Sequence, residues 1–183
     1  MTLPVSISPK PIIELAHHRI HEGNHFLVHK IALGINIASP KYYLIIPPPS
    51  AGTNTIEMHL IFEVDSDIGG TLILFEGSTI ADNGTALTII NNNRRSSSTS
   101  EVNVYEDPTV TTEGTSIFEE RKGTATTEAE IGEFVRDDEE FVLHPDKNYL
   151  LKFTPLANNA NITMELNWYD NRPSAPIQSA QIV

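Results

Sequence analysis

Between Thr55 and Val64 apolar and polar side chains alternate with a period of two. Ile56, Met58, Leu60, Phe62 and Val64 fall on one face, and Glu57, His59 and Glu63 on the other. Successive side chains of a strand point to opposite faces, so the pattern predicts a half-buried β-strand with one face on a core. It returns from Asn161 to Trp168, with Ile162, Met164, Leu166 and Trp168 inward and Thr163, Glu165 and Asn167 outward. Shorter runs of the same character are His25 to Ile31, Lys41 to Ile46, Thr71 to Glu76, Ala86 to Ile90, Glu101 to Tyr105, Phe141 to His144 and Tyr149 to Phe153. Clusters of Pro, Gly, Asn and Asp bound them, as in Pro47-Pro48-Pro49, Asp82-Asn83-Gly84 and Pro145-Asp146. Short strands at this spacing predict an all-β fold, a two-sheet antiparallel sandwich of jelly-roll or Greek-key type.

Helical periodicity is nearly absent. The best candidate, Thr127 to Phe141, carries Ile131, Phe134 and Val135 but is broken by Gly132 and crowded with like charges, so a loop or one short turn is expected there. Both ends differ from the middle. Pro4, Pro9 and Pro11 punctuate the start, and Pro173 and Pro176 the end. The expected organisation is an N-terminal arm over 1–15, one sandwich domain over 16–170 and a C-terminal arm over 171–183. Ile12, Ile13, Ile177, Ile182 and Val183 are apolar residues that a free tail does not need, so the arms are read as packing on a neighbouring subunit.

Composition narrows the function. The chain holds no cysteine, which removes disulfides, thiolate zinc sites and thiol nucleophiles. Twelve basic residues stand against 24 acidic ones, and the net charge of −12 repels phosphate, so nucleic acid is not an expected partner. Residues 101–140 hold 13 acids against Arg121, Lys122 and Arg136, which concentrates −10 of that charge in one stretch and is read first as a solvated face. No basic leader followed by an apolar run opens the sequence, and no window of 18 apolar residues occurs. Cytoplasmic synthesis and assembly without a membrane are therefore expected.

Four motifs invite chemistry. His17, His21, His25 and His29 recur every four residues, but Gly23 and Asn24 interrupt any helix through all four, and on a strand they stand too far apart to share an ion. Asp65-Ser66-Asp67-Ile68-Gly69-Gly70 with Glu76 follows part of the calcium-loop spacing, yet Gly69 offers no side-chain oxygen and strands flank it, so a turn is expected. The acids 137–140 are a hydrolase candidate without a partner, and no nucleophile elbow, phosphate loop or His-Glu-x-x-His is present. No cofactor and no metal is expected. Arg94 and Arg95, set between three asparagines and Ser96-Ser97-Ser98-Thr99-Ser100, form the concentrated basic spot outside the acidic stretch and are candidate interface anchors.

Three stretches carry a resemblance: His17-His18-Arg19-Ile20-His21-Glu22-Gly23-Asn24-His25-Phe26, then Ala86 through Asn91-Asn92-Asn93-Arg94-Arg95 to Pro108-Thr109-Val110, and Phe141 through Trp168-Tyr169-Asp170. They resemble capsid auxiliary proteins of tailed bacteriophages, the decoration, cement or minor head proteins. The resemblance implies a non-catalytic structural protein on the outside of the virion. Its partner is then the major capsid protein, and it associates with itself as a dimer or trimer. The alternative is a carbohydrate-binding sandwich, in which Trp168, Tyr42, Tyr43 and Tyr105 stack on sugars.

Overall fold

The computed structural model describes residues 15–52, 55–125, 132–135 and 140–171. One helix, α1 (Leu15–Glu22), precedes fourteen strands among these residues. They are β1 (His25–Ile35), β2 (Lys41–Ile46), β3 (Glu57–Ser66), β4 (Gly70–Glu76), β5 (Thr79–Asp82), β6 (Thr85–Ala86), β7 (Ile90–Asn91), β8 (Asn103–Glu106), β9 (Thr109–Thr112), β10 (Thr115–Lys122), β11 (Gly132–Val135), β12 (Phe141–Leu143), β13 (Tyr149–Pro155) and β14 (Ala160–Asn171).

All the pairings are antiparallel. Sheet one runs in the order β11-β3-β14-β1-β7, with β12 also on β3. Sheet two runs β10-β4-β13-β2-β8-β6. The first four strands pair with the last ones in reverse order: β1 with β14, β2 with β13, β3 with β11 and β12, and β4 with β10. The chain is thus a long two-layered ribbon, and it wraps on itself where β14 also joins β3 and β13 also joins β4. Most of these contacts join residues far apart in sequence, so closing the fold requires the ends of the chain to meet early strands.

The two sheets face each other across one core. Met58, Leu60, Phe62 and Val64 of β3 and Ile162, Met164, Leu166 and Trp168 of β14 are all buried, as their alternation predicts. Phe26 and Val28 of β1 and Leu72, Leu74, Tyr149, Leu151 and Phe153 of sheet two complete it. A smaller cluster lies on the other face of sheet two. Leu44, Phe75 and Leu150 are buried there under Ile80 and Val110 of the two-stranded ribbon β5–β9. This is why β2, β4 and β13 carry runs such as Tyr149-Leu150-Leu151 in place of strict alternation: both their faces are covered.

An ion network ties the sheets along one edge. Glu106 of β8 accepts from Lys41 of β2 at 2.9 Å and from Lys30 of β1 at 2.7 Å, and Lys41 also reaches Asp107 at 2.7 Å. Burial raises the Glu106 carboxyl, but the hydrogen bonds from Lys30 and Lys41 outweigh it and hold it below its ordinary value. Glu113 is held down likewise, burial being overcome by the bond from Lys152 at 2.7 Å and that from the Tyr42 hydroxyl at 2.8 Å. Part of the acidic stretch therefore braces the fold instead of forming a solvated face.

Several elements differ from the expectation. The run Ala86 to Ile90 is not one strand: it splits into β6, which pairs with β8 in sheet two, and β7, which pairs with β1 in sheet one. The β5–β9 ribbon lies outside the runs read as strands. Helix α1 occupies 15–22, because the break at Gly23 and Asn24 ends a helix there instead of preventing one. Strand β11 takes 132–135, within the stretch expected as loop, by pairing with Glu63 to Ser66 of β3. Strand β10, Thr115–Lys122, alternates too weakly to be predicted, since only Phe118 among its apolar residues reaches the core; Ile117 stays exposed.

Candidate functional site

The first candidate region is the end of the sandwich where α1 sits. Gly23 adopts a left-handed conformation (φ 77°), which L side chains rarely take, and closes the helix. Its N–H donates to the Ile20 carbonyl at 3.0 Å while the Asn24 N–H donates to the Arg19 carbonyl at 2.9 Å, the paired bonds of a glycine C-cap. No residue of α1 is buried, so packing alone does not hold it. Arg19 anchors it instead, donating to Asn171 of β14 at 2.5 Å and to Glu22 at 2.7 Å.

The capped helix divides the four evenly spaced histidines. His17 and His21 share one exposed helix face, with their Nε2 atoms 3.1 Å apart. His25 begins β1, buried against Asn92 at 2.7 Å, and burial lowers its pKa. His29 stands exposed further along β1.

Asparagines build the neighbouring loop. The Asn91 amide donates to the Gly23 carbonyl at 2.9 Å and to the Ser98 carbonyl at 3.0 Å, and the Asn93 amide to the His21 carbonyl at 3.1 Å. Asn93 accepts from the Arg95 N–H at 3.1 Å, which shapes a turn that leaves Arg94 and Arg95 exposed. Beside the turn, Phe26, Ile89, Asn91 and residues 96–100 line a cavity of about 360 Å³. Ser100 accepts the Trp168 indole N–H at 3.1 Å, and Trp168 is only 1% exposed, so its ring is no stacking platform. Tyr43 is equally buried, and the Tyr42 hydroxyl is committed to Glu113.

Across the outer face of sheet one, His59 of β3 and Tyr169 of β14 stack at 4.5 Å between ring centroids. Both reach one oxygen of Glu140, His59 Nδ1 at 2.8 Å and the Tyr169 hydroxyl at 2.6 Å. Burial, with the Glu140 bond added, pushes the Tyr169 pKa up. The His59 Nε2 is buried and has no hydrogen-bond partner among the described residues. The cavity beside the turn is lined by none of these three residues. Glu140 is the one member of the acidic run 137–140 that the structure describes, and it is engaged in this cluster.

The second region is the opposite end of sheet one's outer face. Parity puts Ile31 and Leu33 of β1 outward, and Ile37 follows in the β1–β2 turn. They are 56%, 74% and 49% exposed. Ile31 lines a second cavity, of about 220 Å³, with Asp65, Asp67, Asn161 and Thr163. Asp67 there is bound by the Asn161 side-chain amide at 2.6 Å and its backbone N–H at 2.7 Å. Glu76 lies at the far end of β4, roughly 20 Å of strand from Gly70, paired with Lys147 at 2.6 Å. The Asp65 to Glu76 stretch is thus a turn and a strand, as expected, and among the described residues no cluster of three or more His, Asp or Glu side chains is placed to hold a metal ion.

Sequence reasoning had passed over Ile31, Leu33 and Ile37 as an exposed group. Ile31 and Leu33 continue the alternation of β1, and which parity faces water is set by the partner strand. Ile12, Ile13, Ile177, Ile182 and Val183 lie outside the described residues. No helix among the described residues is long and apolar enough to cross a membrane. Compared with known proteins, the chain matches no family model, no curated protein and no solved structure.

Proposed function

We propose that this chain is a non-catalytic structural protein of a phage virion, a decoration or cement protein that binds the outside of the capsid shell and braces it. The observation that carries the reading is the outward group Ile31, Leu33 and Ile37 at one end of a rigid antiparallel sandwich. Large apolar side chains that the isolated fold leaves in water mark a surface built to meet another protein.

The strand order supports the same reading. We read the two sheets, with β1, β14, β3 and β11–β12 in one and β2, β13, β4 and β10 in the other, as a ribbon wrapped in the manner of a jelly roll. That architecture recurs in viral capsid proteins and in lectins. Burial of Trp168 and Tyr43 counsels against the lectin alternative, because sugar stacking needs exposed rings. The partner is then the major capsid protein, with self-association as a dimer or trimer. Arg94 and Arg95, exposed on their turn, serve as polar anchors in this reading because guanidinium groups make forked bonds to carboxylates, and modest contacts add up across neighbouring capsid subunits.

Rebinding to phage heads stripped of their auxiliary protein tests this, comparing the full chain with one lacking residues 1–13 and 172–183. Saturable binding of the full chain supports a capsid role, and loss on truncation assigns the grip to the arms. Absence of binding by the full chain, with retention on a glycan array, overturns the proposal in favour of the lectin reading.

A further inference from the structure

Seven histidines are present, and two of them meet in a way that the capsid reading does not use. His17 and His21 lie one turn apart on α1, both exposed, with Nε2 atoms 3.1 Å apart and rings edge to face. We propose that they form a bidentate clip for a divalent transition-metal ion such as Zn²⁺ or Ni²⁺.

The separation carries the argument. Imidazole nitrogen binds Zn²⁺ at about 2.0–2.1 Å, so two nitrogens 3.1 Å apart subtend an angle of about 95–102° at one shared ion. That angle lies between the right angle of octahedral or square-planar coordination and the tetrahedral value, so the pair needs almost no movement to chelate. Histidines at i and i+4 on one helix face are a recurrent metal-binding pair for this reason. Without metal the same contact is one imidazole N–H donating to the other ring. With metal, both rings carry their proton on Nδ1 and present Nε2 lone pairs.

The platform is fixed independently of the pair. The Gly23 cap closes the helix just after His21, and Arg19 on the same helix ties it to Asn171 of β14. The competing donor groups nearby are already engaged: Glu22 by Arg19 at 2.7 Å and by His18 at 3.2 Å. Two protein ligands leave the remaining positions to water, which suits an exposed site and gives weaker binding than a closed structural site. Copper is a poor probe because it favours many nitrogen donors; Zn²⁺ and Ni²⁺ are the probes to use.

The test is titration of the full chain with Zn²⁺ and Ni²⁺ by calorimetry, alongside His17→Gln, His21→Gln, His18→Gln and His29→Gln. Glutamine keeps helix propensity close to that of histidine or better, and far-ultraviolet circular dichroism checks the fold. One ion per chain is expected for the parent. Losing either member of the clip forfeits the chelate advantage, so His17→Gln and His21→Gln each weaken binding by ~100-fold, while His18→Gln and His29→Gln bind as the parent does. Ni²⁺ broadening of NMR signals centred on residues 17–21 supports the same assignment. Binding that survives both clip variants, equal loss with His18→Gln, or no binding by the parent overturns the proposal.

Discussion

Replacing Ile31, Leu33 and Ile37 together by serine separates a surface kept for a partner from one kept for the fold. Fully burying such a side chain contributes about 1.5–3 kcal/mol. Scaled by exposures of 56%, 74% and 49%, a partner that covers all three gains about 3–5 kcal/mol, which is roughly 100- to 5000-fold in affinity. The fold itself gains little from these atoms, since they already lie in water. The isolated triple variant is therefore expected to melt within about 2 °C of the parent, the range of an ordinary surface substitution. The assay is rebinding of labelled protein to stripped heads, measured by sedimentation across a concentration series, with a thermal melt of the free protein beside it. Binding within threefold of the parent refutes the patch as the contact. A melting temperature many degrees lower refutes the exposure reasoning itself, because the residues are then structural.

Leu166→Ala supplies the opposite case. Its side chain is fully buried between the sheets, and the expected loss is about 2–5 kcal/mol, read as a fall in urea midpoint. Gly69→Ala places a Cβ 2.4 Å from the Thr124 backbone nitrogen and 2.7 Å from the Lys122 carbonyl oxygen, atoms that cannot swing aside. It is expected to cost about 1–3 kcal/mol, whereas Gly77→Ala meets no neighbouring atoms and suffers only the strain of its positive φ. Glu106→Gln leaves Lys30 and Lys41 without their shared carboxylate and is expected to lower stability by about 1.5–3 kcal/mol at neutral pH. The pH dependence follows from the same groups. Glu76, Glu106 and Glu113 have carboxyl pKa values held below the ordinary 4.5. Their contribution is fully present above that value and is lost as pH falls through the lower folded values. Melting temperature is expected to drop on acidification below about pH 4.5, and the drop to shrink in a Glu106→Gln, Glu113→Gln double variant; an unchanged slope refutes the linkage.

Where a segment has one wet and one dry face, local chemistry was enough to place it. β3 and β14 alternate cleanly because both cross the middle of sheet one with water on one side, and their inward residues Met58, Leu60, Phe62, Ile162, Met164 and Leu166 could be named from spacing alone. The turns at 47–49, 82–84 and 145–146 were legible for a similar reason, since Pro, Gly and Asn restrict or free the backbone locally. The absence of cysteine and the balance of charge also needed no coordinates.

Other features belong to the assembled fold. β10 is the edge strand of sheet two and, among the described residues, pairs with β4 alone, so few of its side chains must be apolar and its sequence carries little periodicity. α1 buries no side chain and is held by a glycine cap, one arginine and the Asn93 amide on the His21 carbonyl, none of which leaves an apolar stripe to read. Glu106 looked like one acid in a charged run until β1, β2 and β8 brought it to Lys30 and Lys41, because attraction between charges depends on distances that long-range pairing sets. The same holds for the exposed group at Ile31, Leu33 and Ile37. Alternation along β1 fixes which residues share a face, but only the packing of sheet one on sheet two decides which face is left to the solvent.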